Sequence, residues 1–496
     1  MYDSAHIKAA MLFVFCICCT SISAAQNTLF NANCQTAYNN LMRLQLNKGR
    51  ELAALERTQN AQNPLPILLE NYADVLHLFV SEDAAELSRF EAMKDKRLQL
   101  LEKCDKKSPF YRYAQAEIQI QWALVHAKFE QYFAAFWEAR RAYQLLDQNR
   151  QQFPTFYPNL KTIGTIHALV GTLPDRFKWG VRVLGLNGNV KQGMGELKTF
   201  LNASKADGQM FYNEGLLIYA FLLNYVNNQP NESWNAIAKL PTNDNLLHTF
   251  VLADMAFRAG NNDKAIQLLE QAPQSNDFES FAYLDFLLGT YKLNRLDKDA
   301  NIHLQHFLQH YKGKNYVKDA HQRLAWCALL QNNLLSYQQY MHQCLNKGTQ
   351  LIDADRQAHR NAQEGKTPHL ALLKARLLFD GGYYAKALQM LNTTLPKELK
   401  TTEQQLEYDY RYGRIYQQMN DNPQAILCYQ RVINKDTEIQ TDFAPKACLQ
   451  MAKIYETTKQ LQQAVKYYQK CLNYKKHDYK NSIDQQAKAG LNRLGY

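Results

Sequence analysis

The chain has 496 residues, of which 46% are hydrophobic and 12% aromatic, and carries a formal net charge of +11. That is ample apolar material for a large core. The 20 Gly and 13 Pro are too few for an all-β chain that turns roughly every ten residues, so an all-α protein is expected.

The chain opens on an apolar run, "AAMLFVFCICCTSISAA", ending in small residues, with Ser23 and Ala25 suited to cleavage before Gln26. Residues 1–25 are therefore expected to be an export signal, with retention as an anchor the alternative. The run is shorter than the about 20 apolar residues a spanning helix needs. No later segment is long and apolar enough to cross a bilayer, so no integral membrane segment is expected after cleavage. Cys16, Cys18 and Cys19 follow Phe15, Ile17 and Cys18, not the small residue that lipidation requires. The remaining cysteines, Cys34, Cys104, Cys327, Cys344, Cys428, Cys448 and Cys471, show no CxxC spacing. They suit core positions better than a disulfide scaffold or zinc knuckle, although Cys34 and Cys104 could pair in an oxidising compartment.

Residues 26–201 are expected to form an N-terminal helical region. Within it, Ile163, Ile166, Val170 and Leu173 recur at helical steps up to Pro174. A second helix with the stripe Phe177, Val181 and Leu184 is expected to close at Gly185. After a turn at Asn187-Gly188, Val190, Met194, Leu197 and Leu201 mark a third. The glycines of "GLNGNVKQGMG" have neither the spacing nor the preceding strand of a nucleotide-binding loop. Trp179 and Val183 point away from the Phe177 stripe, giving two apolar faces, whereas a helix lying on a membrane has one. This segment is expected to be a packed layer in which a charge at Trp179 would be buried. Gly193 and Gly195 would cost about 1 kcal/mol each against Ala, offset by close helix packing.

Residues 202–496 are expected to be a repeat solenoid. "YGRIYQQMNDNPQAILCYQRVI" aligns with "MAKIYETTKQLQQAVKYYQKCL" so that Gly413, Tyr416, Ala425 and Tyr429 meet Ala452, Tyr455, Ala464 and Tyr468. One repeat earlier, "KARLLFDGGYYAKALQMLNTTL" supplies Ala375, Leu378, Ala387 and Leu391; further back stand Ala253, Ala256, Ala265 and Leu269. Small residues on both helices of a pair allow close approach, aromatic rings fill the space beside them, and stacked pairs bury what one pair cannot. Looser matches centre on Ala116, Ala139 with Tyr143, Leu216 to Tyr219, Gly289 with Ala300, and Ala325 with Trp326. Pro423 stands where a second helix should begin.

These residues resemble the tetratricopeptide repeat, which implies a tetratricopeptide-type α-solenoid. "GTIHALVGTLPD", "LGLNGNVKQGMGEL", "LENYADVLHLFVSED" and "AQAEIQIQWALVHAKFEQYFAAFWEARRAY" resemble a wider family. It includes fungal inclusion-body clearance proteins, their animal tetratricopeptide relatives and exported proteins of Bacteroidetes-type bacteria. The resemblance covers most of the chain after residue 25 and implies an all-helical interaction protein with no catalytic residues to carry over. With the export signal, it points to an exported bacterial protein, periplasmic or associated with the outer membrane, with secretion the alternative.

His303, His306 and His310 share a helix face that could ligate zinc. No HExxH or paired Cys accompanies them, so a solvated surface flanking the packing residues Leu304 and Phe307 is expected, with no metal and no cofactor. No catalytic Ser-His-Asp or Cys-His set can be assigned. The sequence pI of 8.9 is only moderately basic, which with export argues against nucleic acid. From Lys453 onward nine Lys/Arg stand against three Asp/Glu, a balance that suits either a solvated face or acidic partners.

The expected binding surface is a stripe on the first helix of each repeat. Arg376, Arg414 and Lys453 follow the small packing residues, and Leu372, Tyr410 and Leu449 stand four residues earlier. Stacking would align a basic ladder beside an apolar one, fit for an extended peptide with acidic groups or a free carboxylate. The expected function is a non-catalytic adaptor with a protein or peptide partner on its concave face; the alternative is a glycan-capturing protein of the outer membrane.

Overall fold

A computed structural model describes residues 29–172, 185–206, 210–394, 396–436, 441–475 and 480–496. The expected signal and the helix expected around Trp179 lie outside the described residues. Among the described residues the regular elements are all helical, and no helix is long and apolar enough to cross a membrane. The described residues build an all-α solenoid of antiparallel helix pairs. It falls into two compact units: Met1–Ala259 with Asp263–Leu287 and Gln309–Lys314, and Gly260–Asn262 with Leu288–Leu308 and Asn315–Tyr496.

The first unit contains α1 (Ala32–Met42), α2 (Leu46–Gln59), α3 (Leu65–Ser81), α4 (Leu87–Leu101), α5 (Pro109–Lys128), α6 (Tyr132–Gln152), α7 (Pro158–Thr172), α8 (Val190–Ala206), α9 (Tyr212–Tyr225), α10 (Pro230–Ile237) and α11 (Leu246–Arg258), with most of α12 (Asn262–Glu270). Its core is rich in rings: Phe110, Tyr113, Trp122, Phe200 and Phe211 are wholly buried. The glycine-rich stretch packs α7 against α8. A Cβ on Gly193 would lie 2.3 Å from the Gly164 carbonyl oxygen, and one on Gly164 2.8 Å from that of Gly193. Here glycine is required because two backbones touch. Gly195 differs from the expectation: it is exposed, and a Cβ there would meet nothing within 4 Å.

The second unit contains part of α13 (Tyr283–Arg295) and most of α14 (Ala300–His310). It continues with α15 (Val317–Leu330), α16 (Leu334–Asn346), α17 (Asp353–Glu364), α18 (Leu370–Asp380), α19 (Tyr384–Asn392), α20 (Thr402–Gln418), α21 (Asn422–Lys435), α22 (Phe443–Thr457), α23 (Leu461–Leu472) and α24 (Lys480–Arg493). Four antiparallel pairs close in the same way. Asn332, Gly382, Asn420 and Lys459 follow α15, α18, α20 and α22 in the left-handed conformation, with φ of 59°, 80°, 63° and 61°. The next residue donates its N–H back into the helix: Asn333 to Ala328 O, Tyr383 to Leu378 O, Asp421 to Tyr416 O and Gln460 to Tyr455 O, at 2.8–2.9 Å. This is the Schellman closure, which satisfies carbonyls the helix leaves open. Pro423 lies in the first turn of α21, whose cap is the Asp421 side chain accepting from Gln424 N. Ala375, Ala387, Ala425, Ala452 and Ala464 are wholly buried, and a Cβ on Gly413 would meet the Tyr429 ring at 2.6 Å.

One element is foreign to the pairs. The polar α17 stands between α16 and α18, and stretches the Ala325-to-Ala375 spacing beyond one repeat. Only Asp355, Ala358 and Ala362 of α17 are buried. Asp355 accepts from Tyr316 N at 2.7 Å and Asp319 N at 3.0 Å, so its carboxylate caps the start of α15. The seven described cysteines are all buried and free.

Candidate protein-interaction surface

The residue after each small packing position is a cation on three successive first helices. Arg376 on α18 lies 3.7 Å from Asp380, with its guanidinium carbon 5.1 Å from the centre of the Trp326 ring on α15. Arg414 on α20 repeats the arrangement one pair on: its guanidinium is 4.9 Å from the Phe379 ring centre, and Nη1 donates to the Tyr410 hydroxyl at 3.3 Å. Lys453 on α22 donates to Gln486 Oε1 at 2.9 Å. At the end of α24, Arg493 grips both oxygens of Glu456 at 2.8 and 2.9 Å.

Lys453 senses its cationic neighbours on both sides. Burial holds the Lys453 ammonium below the usual lysine range, and Arg414 and Arg493 lower it further. Arg493 is neutralised by Glu456, whereas no ion pair to Arg414 or Lys453 occurs among the described residues. Arg376 has the loosely placed Asp380. Asp380 also acts on Arg414 and Glu456 on Lys453, so the charge of the row is balanced in part within the chain.

The apolar half of the expected ladder is placed differently. Leu372, Tyr410 and Leu449 are 1%, 7% and 3% exposed and belong to the cores between pairs. Helical geometry gives the reason: at about 100° per residue, Leu372 projects about 60° from Ala375, within the arc that packs. The rings beside the cations are instead Trp326 and Phe379. Sequence reasoning placed Trp326 only as a repeat match and passed over Phe379 and Arg493. The recurring signal was an aromatic one turn beyond, or one residue after, a buried alanine on the preceding first helix.

His303 is half-buried and His306 and His310 are exposed, while Leu304 and Phe307 between them are wholly buried. Among the described residues no group of three or more His, Cys, Asp or Glu is placed to hold a metal.

The first unit holds a buried polar cluster with the residue types of an active site. Lys161 on α7 donates to Glu117 on α5 at 3.1 Å and to Glu214 on α9 at 2.8 Å. The hydroxyls of Tyr38 and Tyr72 donate to Glu214 at 3.2 and 2.9 Å. Burial first, then Glu214 and Glu117, push the hydroxyls of Tyr38 and Tyr72 well above the usual tyrosine range. Burial works against the Lys161 charge, but Glu117 and Glu214 outweigh it and raise its pKa. A lysine held protonated and tyrosines held neutral are the reverse of activated nucleophiles. The cluster ties α1, α3, α5, α7 and α9 together.

Stacked pairs closed by a repeated turn define a helical-repeat protein, a class that builds binding surfaces. The tetratricopeptide repeat family model matches residues 445–478, which span most of α22 and all of α23. The chain is also similar to a chain in the structure titled "Crystal structure of APC/C hetero-tetramer Cut9-Hcn1". The identity is 12% and the TM-score 0.26, with 95% of this chain and 99% of that chain covered. No curated protein matches.

Proposed function

We propose that the protein is a non-catalytic interaction scaffold of the bacterial cell envelope, and that it takes an acidic peptide or protein segment along Arg376, Arg414 and Lys453 on the concave side of its second unit. The observation that carries this reading is the repeated placement of Arg376 against Trp326 and of Arg414 against Phe379, 5.1 and 4.9 Å from the ring centres, on successive first helices. Trp326 and Phe379 give the guanidinium groups flat apolar support, so their outer edges stay oriented for two parallel bonds to a carboxylate. An envelope setting rests on the apolar start and the Ser23–Ala25 end.

Binding of a fluorescent Glu-rich peptide, followed by anisotropy, tests the row. Wild type should bind with an affinity that falls as salt rises. Arg376→Glu with Arg414→Glu should keep helical content and melting behaviour while weakening binding at least about a hundredfold, the effect of reversing two contacting charges. Equal binding by that variant would sink the reading.

A further inference from the structure

The α5–α6 hairpin of the first unit ends in a crest of rings that its core does not use. Glu130 turns the chain in the left-handed conformation at φ 65°, and Gln131 N closes back to His126 O at 2.8 Å. The inward face of α6 is fixed: Glu138, Ala142, Leu146 and Asn149 are buried, and Glu138 accepts from the buried Lys94 at 2.8 Å. That orientation sends Tyr132, Phe133 and Trp137 outward, 60%, 78% and 38% exposed. Phe133 meets Trp137 edge to face with ring centres 6.1 Å apart. The Arg140 guanidinium carbon lies 5.3 Å from the Trp137 ring centre, and Arg141 beside it is exposed. Neither arginine has an ion-pair partner among the described residues. Of the nearby acidic groups, Glu82 is taken by Lys128 at 2.8 Å, and Glu130 stands exposed at the turn.

We propose that this crest is a membrane-contact site, in which Tyr132, Phe133 and Trp137 enter the headgroup region of an anionic bilayer while Arg140 and Arg141 meet the lipid phosphates. Tyr and Trp are the side chains that settle at a membrane interface, with an apolar body and a polar edge. Phe133 and Arg140 are separated by about 10 Å along the helix, which matches the roughly 5–10 Å to which interfacial apolar groups sink below the charged layer. Two unpaired guanidinium groups at that level complement phosphodiester charge, each able to hold a phosphate through paired hydrogen bonds. An exposed aromatic patch calls for an apolar environment, and the arginines beside it call for an anionic one. The proposal is independent of the cationic row in the second unit.

The test is flotation of the full chain with vesicles of phosphatidylcholine, with and without phosphatidylglycerol. Wild type should float with the anionic vesicles, and less so at high salt. Phe133→Ser with Trp137→Ser should lose flotation, with circular dichroism and melting unchanged. Arg140→Gln with Arg141→Gln should lose the preference for anionic vesicles, at about fivefold per cation. Comparing variants within the full chain separates the crest from the apolar start, which all of them share. Equal flotation of wild type and the Phe133→Ser, Trp137→Ser protein would overturn the proposal. So would a wild-type dimer that the same changes convert to monomer without any vesicle binding, which would make the crest a contact between copies.

Discussion

Lys161 has exchanged water for two carboxylates and for the faces of Phe211 and Tyr113, 4.9 and 5.9 Å from its ammonium. Removing it strands Glu117 and Glu214 in the interior. Lys161→Met should therefore lower stability by about 3–5 kcal/mol, as breaking one side of a buried ion pair does, read as a shift in the urea midpoint. Asp355 gives a pH dependence of defined sign. Burial is the main cause that pushes its carboxyl up to about 6, against the lowering effect of the N–H groups of Asp319 and Tyr316. The folded pKa thus lies above the unfolded one, so its contribution to stability is full below the unfolded pKa and is lost as pH rises through about 6. Between pH 7.5 and pH 5 the second unit should gain about 1 kcal/mol from this group, measured by denaturant titration at each pH. Asp355→Asn should flatten that gain. Neither residue announces itself in sequence, because the partners of Lys161 are 44 and 53 positions away and those of Asp355 are backbone groups.

At the scale of helices, two glycines that look alike in sequence have opposite fates. At Gly193 an added methyl would run into the Gly164 carbonyl, part of a rigid backbone, so α7 and α8 would have to separate. Gly193→Ala should cost about 1–3 kcal/mol, as overpacking does. Gly195 faces open solvent on the same helix, so Gly195→Ala should instead gain about 1 kcal/mol from helix propensity alone. Thermal melting of the two variants, in opposite directions, checks both. The alternation of small residues and rings in α20 to α23 was legible because close pairing demands it at fixed offsets. The inserted α17 was not, since "DADRQAHRNAQE" has little apolar stripe and is held by a buried carboxylate. The apolar half of the expected binding ladder failed on a matter of angle: Leu372, Tyr410 and Leu449 fall within the packed arc of their helices.

Across the whole molecule, the all-α class and the repeating pairs could be read from composition and self-similarity, because both follow from short-range rules. The candidate surface was legible in its charges and hidden in its rings, since stacking Arg414 on Phe379 joins residues of different repeats. The left-handed turn that closes α15, α18, α20 and α22 also bears on how such a chain is inherited. Each pair ends its first helix with hydrogen bonds drawn from its own residues, so a duplicated stretch of gene carries its closure with it. New sequence can then enter between pairs without spoiling either neighbour, which is where α17 stands. Growth by copying and growth by insertion thus draw on different parts of the chain, and the surface can be lengthened without reinventing the corner.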